Sequence, residues 1–284
     1  MEPIKIGSTV PAEKVHYIIE KFPLKKKIDI NYEDYNDKYI YSFSLNKRKT
    51  NEEIALYNIL ADFIQSIILD FYSRELISER VNKVIKEIGG LDHYNIKEKV
   101  YEVLIDDKEF VREKSMLNHE LLSYLIENNI LIIDGYLTFR PKTFNYLIDK
   151  AIDKVIIEIQ LEKEYDEFIY MLQTFVDSQY SKIDLVNVVI KNDRFQLLDA
   201  DNNKINNDYI EIILEDLFDD DINQSDILLS SLLAVSPLNI VIHIEEGKEN
   251  ELIEVLKKIF RNRIKICDGC SLCYMHDIER KIDR

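Results

Sequence analysis

The sequence predicts an α+β fold: a helical N-terminal half with β-hairpins, a long connecting helix, and a small C-terminal α/β module with a mixed sheet. Apolar residues recur at helical spacing over most of residues 50–180, and β-branched runs alternate with helical patterns after residue 181. The 284 residues, 46% of them hydrophobic, suffice for one large core or two modest ones. We therefore divide the chain into an N-terminal region at 1–140, a connecting helix at 141–180 and a C-terminal module at 181–284.

The N-terminal region begins with a short helix and a hairpin. The helix follows Pro11 and ends before Pro23, since proline is tolerated at the start of a helix and stops it elsewhere. Residues 27–45 alternate apolar and polar side chains on both sides of Asn36 and Asp37, which are turn-forming residues. This pattern predicts an antiparallel hairpin.

Amphipathic helices fill most of the remaining N-terminal region. Thr50 is a favourable N-cap with acidic residues in the following turn, and an apolar face extends to about Tyr72. A second hairpin is predicted at 130–139, where two apolar runs flank Asp134 and Gly135. The other predicted helices cover residues 74–88, 95–106 and 116–129.

Helices followed by a hairpin are also typical of a winged helix-turn-helix, which binds DNA. The helix at 116–129 contains Glu120 and Glu127 and neither lysine nor arginine. A recognition helix needs cationic or amide side chains on its exposed face. We therefore favour a helical bundle with a β-hairpin and keep a winged-helix DNA-binding regulator as an alternative.

The longest predicted helix begins at Pro141 and extends to about Gln179. It is longer than one compact domain needs, so we expect either a kink near residues 162–166 or a helix that joins two lobes.

After residue 181 the pattern changes to α/β. The runs 183–190 and 194–199 are predicted to form an antiparallel pair of strands. We interpret the three adjacent aspartates at 219–221 as a solvated loop, because they lack the alternating ligand spacing of a calcium loop. The other predicted elements are helices at 208–218, 224–235 and 248–261 and strands at 239–244 and 263–267.

The last strand, helix and strand are predicted to form a right-handed parallel crossover. Parallel neighbours would bring Ile244 and Cys267 to the same edge of the sheet, with His243 near that edge. Ligand sites of open α/β sheets favour the carboxyl ends of strands. A site is therefore expected where the cysteine run begins.

Charge and hydropathy limit the classes of partner. A formal charge of −16 disfavours nonspecific binding to nucleic acid or to an anionic membrane, so we expect protein partners and leave the oligomeric state open.

The apolar run at 227–244 is long enough to resemble a membrane span, but Pro237 would interrupt a helix there. We predict a helix, a turn and a strand instead. Residues 1–11 lack an apolar segment of the length that a secretion signal needs, and the clustered cysteines favour a reducing compartment, so we expect a cytoplasmic protein.

All three cysteines lie in one run, CDGCSLC, spaced C-x2-C-x2-C. Thiolates at this spacing can turn around a glycine and converge on one cation, so Cys267, Cys270 and Cys273 are candidate zinc ligands. His276 follows at the same interval, and His243 is a competing fourth ligand. Three alternatives stay open: an iron-sulfur cluster, thiol redox chemistry by one C-x2-C pair, or reduced cysteines without a ligand.

The sequence indicates no reaction. It contains no glycine-rich phosphate loop, zinc-protease helix or nucleophile elbow, and we assign no catalytic residue. The hypothesis that we favour is a non-enzymatic adaptor or regulator with a cysteine-based metal site. The alternative is a metal- or redox-dependent enzyme that uses the cysteine run.

A resemblance to a known family rests on seven stretches, which are residues 164–169, 175–177, 182–190, 226–233, 236–237, 240–243 and 267–273. In these stretches the chain resembles the YtxC-like family of sporulation proteins. The resemblance covers about residues 140–274, and more loosely the helices before them, and its most specific part is the cysteine run. It implies a cytoplasmic protein with a role in sporulation, and it implies no particular activity.

Overall fold

The structure is a computed structural model that describes residues 2–20, 28–35, 38–45, 50–88, 93–181, 183–191, 194–205, 224–244 and 251–273. Over these residues the fold is α+β, as predicted, with many helices and two mixed four-stranded sheets. The chain divides into two compact units, Met1–Leu161 and Glu162–Arg284. Each unit has its own cluster of buried hydrophobic residues.

The sheet of the first unit has the strand order β2-β3-β1-β4. Strands β2 and β3 form the predicted antiparallel hairpin, whose turn at 36–37 lies outside the described residues. Strand β1 is antiparallel to β3 and parallel to β4. We did not predict β1, because five residues that include Gly7 give too little alternation to detect. The strands are β1 Ile4–Ser8, β2 Ile28–Tyr35, β3 Lys38–Leu45 and β4 Ile130–Ile132.

The predicted hairpin at 130–139 is wrong. Only Ile130–Ile132 is a strand, and Ile133–Phe139 is a helix. Ile133 and Tyr136 are buried at helical spacing, so packing outweighs the turn signal of Asp134 and Gly135. The winged-helix alternative loses its wing with this correction.

The helices of the first unit largely match the predictions. Helices α2 and α3 are joined by a π-helical segment, Ile68–Tyr72, which the sequence pattern did not indicate. Helix α5 begins five residues earlier than predicted. The helices are α1 Ala12–Glu20, α2 Thr50–Ile67, α3 Ser73–Ile88, α4 His93–Ile105, α5 Val111–Asn128 and α6 Ile133–Phe139.

The segment Glu52–Lys86 is long and apolar enough to cross a membrane by length and composition alone. In the structure its side chains Leu56, Leu60 and Ile64 are fully buried in the core of the first unit. A buried core helix passes the same composition test, so we interpret the segment as part of this core.

Helix α7, Lys142–Ser178, is the predicted long helix. It is helical without a break through residues 162–166, where we had considered a kink. The division between the two compact units falls within this helix, after Leu161.

The sheet of the second unit has the order β6-β5-β7-β8. Strands β5 and β6 are the predicted antiparallel pair, and β5–β7 and β7–β8 are parallel. The run at 227–244 is a helix followed by a strand, as predicted, and residues 208–221 lie outside the described part of the chain. The elements are β5 Leu185–Lys191, β6 Arg194–Leu198, α8 Gln224–Val235, β7 Asn239–His243, α9 Glu251–Phe260 and β8 Ile264–Ile266.

Candidate metal centre

The carboxyl ends of two parallel strands bring the candidate ligands together. In the β7–β8 register Ile242 lies opposite Ile266, and the N–H of Cys267 donates to the carbonyl of Ile242 at 2.9 Å. Strand pairing therefore extends one residue beyond β8. This pairing places Cys267 beside His243, the last residue of β7, as the predicted crossover requires.

The cysteine loop is folded by hydrogen bonds from its own backbone. The N–H of Cys273 donates to the carbonyl of Cys270 at 3.0 Å, which closes a tight turn. Gly269 has φ 119°, a conformation that side-chain-bearing residues rarely adopt. The loop therefore turns sharply between Cys267 and Cys270 and again before Cys273.

The four candidate ligand atoms lie within 4.8 Å of one another. The Nδ1 atom of His243 is 3.3 Å from the sulfur of Cys270 and 3.6 Å from that of Cys273, and these two sulfurs are 3.9 Å apart. A tetrahedral zinc ion separates two thiolate sulfurs by about 3.8 Å and a sulfur from an imidazole nitrogen by about 3.6 Å. The cluster can thus bind a metal ion, and its spacing fits a single ion.

Asn187 on β5 holds the imidazole of His243 in one tautomer. The side-chain N–H of Asn187 donates to the carbonyl of Asp199 at 3.0 Å, so its Oδ1 faces the Nε2 atom of His243 at 3.1 Å. An amide oxygen can only accept, so Nε2 carries the proton. The lone pair of Nδ1 then points to the sulfurs, which is the arrangement that a histidine ligand needs.

Burial and local hydrogen bonds set the protonation of the cluster. Burial lowers the pKa of His243, which favours the neutral imidazole that binds metals. Burial also raises the pKa of Cys270, but the N–H groups of Cys273 and Leu272 and the neighbouring thiols outweigh it, so that this pKa is lowered overall. The Cys270 thiol therefore loses its proton more readily than an ordinary cysteine.

The pKa of the Cys267 thiol is raised, in contrast to that of Cys270. The N–H of Gly269 lowers the pKa of the Cys267 thiol, but burial and the thiols of Cys270 and Cys273 outweigh it and raise this pKa overall. Three sulfurs in one site cannot all become anions without a cation to offset their charge. This arrangement favours a metal ion over three free thiolates.

The distances between the ligand atoms also bear on the alternatives of a disulfide and an iron-sulfur cluster. All three cysteines are free thiols, and the 3.9 Å between the sulfurs of Cys270 and Cys273 is far longer than a disulfide bond of about 2.05 Å. In a four-iron, four-sulfide cluster each cysteine binds a different iron atom, which spreads the ligands further apart than one ion does. The observed distances therefore fit one metal ion better than such a cluster.

Sequence reasoning found the cysteines but left the fourth ligand open and missed Asn187. The structure brings His243 to the three cysteines, and His276 lies outside the described residues. A lone polar residue inside the β-branched run of β5 is the signal that could have pointed to Asn187, because a buried amide needs partners.

The fold and the cluster define a class: a two-unit α+β protein whose second sheet carries a Cys3His cluster at the carboxyl ends of its parallel strands. The sequence model of the YtxC-like family matches residues 58–265, which is most of the chain. The chain belongs to the YtxC-like family. The matched residues include β7 and His243 and end two residues before Cys267. Comparisons with curated proteins and with solved structures gave no match.

Proposed function

We propose that the protein is a non-enzymatic, sporulation-associated cytoplasmic adaptor or regulator, and that one zinc ion stabilises its second unit. The proposed ligands are His243, Cys267, Cys270 and Cys273. The observation that carries the zinc proposal is the placement of four ligand atoms within 4.8 Å of one another.

The number of protein ligands supports a structural ion over a catalytic one. Structural zinc sites have four protein ligands, whereas catalytic sites have three and keep a position open for water or substrate. The cluster supplies all four, and His243 and Cys273 are buried. An enzyme that uses the cysteine run would need one of these ligands to dissociate, so we retain it as the alternative.

The ion would hold the end of the sheet together. Strand β8 has only three residues, lies at the edge of its sheet and is at most half-buried. Three ligands follow it directly and the fourth ends the neighbouring strand. An ion that binds only the folded site adds its binding free energy to the stability of the fold.

Membership in the YtxC-like family supports the role in sporulation. Three zinc thiolates persist in a reducing compartment, which supports the cytoplasmic location. A charge of −16 supports protein partners rather than nucleic acid or membrane lipid.

A matched pair of variants in the cysteine loop tests the proposal. Cys270→Ser removes one ligand, and Ser271→Ala changes the exposed neighbour and keeps all four. We expect Cys270→Ser to lower the melting temperature by roughly 10 °C or more, since the loss of a few kcal/mol has that effect in a domain of this size. In a spore-forming host we expect it to reduce heat-resistant spores without slowing growth. A Cys270→Ser protein that loses zinc and sporulation but keeps its native melting temperature would favour the enzyme alternative.

A further inference from the structure

Helix α7 carries an apolar stripe whose side chains are about half exposed and belong to neither buried core cluster of the described residues. Successive members are separated by four, three, four, three and four residues, which is the a/d spacing of a coiled coil. The five apolar members are between 46% and 61% exposed, and the one charged member is also exposed. We call this set the α7 seam; it consists of Ile157, Leu161, Glu164, Phe168, Met171 and Phe175.

The α7 seam is separate from the side chains that α7 contributes to the cores. Ile156 is buried on one flank of the seam, and Ile169 and Val176 are buried on the other, each roughly 100° or more around the helix from it. Residues 160–168 are exposed at every position, so this stretch gains little stabilisation from packing. An exposed helix that needed only to be soluble would be polar all round. A regular exposed apolar stripe instead indicates an interface.

We propose that the α7 seam pairs with the same seam of a second copy of this chain, antiparallel, about a two-fold axis beside Asp166. The sequence is self-complementary in this arrangement. The pairs 157 with 175, 161 with 171, and 164 with 168 all have residue 166 as their midpoint. A two-fold interface requires each contact to occur twice, and this spacing meets that requirement over the whole seam.

Glu164 selects the antiparallel direction. In a parallel, in-register pair the two Glu164 carboxylates would occupy one layer and repel each other. In the antiparallel pair each Glu164 lies against Phe168 of the second copy. Glu167 would come near Glu167 of the second copy at the flank of the seam. The Nζ atom of Lys163 lies 3.7 Å from Oε1 of Glu167 within each copy and offsets this charge.

The size of the seam suits a second copy. Ten half-exposed apolar side chains, five from each copy, would bury on the order of 1,000 Å² in total, which is the lower limit for a specific interface. Glu164, which is exposed in the single chain, would become buried in the dimer and would weaken the contact. We therefore expect a reversible dimer that dissociates on dilution.

The molecular mass in solution tests the proposal, measured on the full chain by sedimentation or light scattering over a range of concentrations. The native protein should shift from 33.7 kDa towards twice that mass as its concentration rises. Leu161→Glu and Phe168→Glu should stay monomeric, and Glu164→Leu should form dimers at a concentration at least tenfold lower. The matched control is Tyr170→Glu, since Tyr170 is 67% exposed on the opposite face of α7 and should dimerise as the native protein does.

Three results would overturn the proposal: a native chain that stays monomeric at about 100 µM with Glu164→Leu equally monomeric, a dimer that persists in both Leu161→Glu and Phe168→Glu, or a dimer that Tyr170→Glu disrupts equally. Circular dichroism checks that the variants fold, and because the seam is exposed we expect native spectra.

A crosslink tests the direction of pairing. A photoreactive amino acid in place of Glu158 should crosslink near Leu172 in the antiparallel dimer, because both residues lie on the same flank of the seam, and near residue 158 in a parallel one. Positions 158 and 172 of one helix are about 21 Å apart, so a crosslink between them joins two copies. Dimers whose crosslinks all map near residue 158 would contradict the antiparallel arrangement.

Discussion

Asn187 and His243 show how a single amide can prepare a metal ligand. Asn187 is buried within a strand of apolar neighbours, and both ends of its amide are used, one by the Asp199 carbonyl and one by the imidazole. The amide therefore fixes both the ring orientation and the site of its proton.

We predict that Asn187→Leu weakens zinc binding by about 10- to 100-fold, the usual effect of losing a partner that orients a histidine ligand. Leucine leaves Nε2 unpaired and removes the preference for a proton there. Competition with a chelator of known affinity measures the change. Asn239→Leu, at the opposite end of the neighbouring strand β7, is the control and should leave the zinc affinity unchanged. Equal affinities in all three proteins would exclude the proposed role of Asn187.

Removal of the Tyr41 hydroxyl and removal of the Tyr72 hydroxyl should have opposite effects on the stability of the protein. The hydroxyl of Tyr41 is buried and has no hydrogen-bond partner among the described residues. The hydroxyl of Tyr72 donates to Asp134 at 3.1 Å and accepts from the N–H of Thr9 at 3.3 Å. Removal of a buried unpaired hydroxyl relieves a desolvation cost, whereas removal of a paired one leaves its partners unsatisfied.

We therefore predict that Tyr72→Phe lowers the free energy of unfolding by about 1–3 kcal/mol and that Tyr41→Phe keeps or raises it. Urea unfolding measures both changes, and Tyr146→Phe, at an exposed position, controls for the substitution itself. Destabilisation by Tyr41→Phe as large as that by Tyr72→Phe would show that the Tyr41 hydroxyl has a partner.

Two buried tyrosine rings, those of Tyr41 and Tyr136, predict a loss of stability at high pH. Burial raises the pKa values of Tyr41 and Tyr136 to about 12, whereas unfolded tyrosine ionises near pH 10. Between these values the folded state holds protons that the unfolded state has released, so the free energy of unfolding falls as pH rises from about 10 to about 12. Absorbance of tyrosinate should show at least two late-titrating groups in the folded protein. Complete tyrosine titration near pH 10 in a still-folded protein would contradict this prediction.

At the scale of elements, hydrophobic periodicity predicted those helices and strands whose pattern lies within their own residues. The hairpin of β2 and β3 and helices such as α4 and α7 carry their patterns within their own residues. Strand β1 and helix α6 lack such a pattern. Strand β1 forms because it pairs with β3 and β4 on its two sides, and α6 forms because Ile133 and Tyr136 are buried. These are tertiary effects that no short window contains.

The candidate site was predictable to the same extent. The C-x2-C-x2-C spacing is local, and the parallel crossover that brings His243 to Cys267 follows from topological rules. The choice of His243 required the register of β7 and β8, and Asn187 required the packing of a third strand.

At the scale of the molecule, the two units should respond differently to metal removal. The Cys3His cluster lies in the second unit, and each unit has its own hydrophobic core. We predict that calorimetry shows two unfolding transitions and that a zinc chelator lowers the temperature of only one of them. A single transition that does not move with chelator would contradict both the separate cores and the structural ion.

The zinc content of the native chain tests the central claim most directly. Protein purified without oxygen and without a metal-affinity tag should contain about one zinc per chain by elemental analysis, and His243→Ala should lose it while His276→Ala retains it. Less than about a tenth of an equivalent of zinc or iron, with all three thiols freely titratable in the folded protein, would contradict the account and leave cysteines without a ligand. Iron with sulfide in place of zinc would contradict the single-ion geometry and favour a cluster.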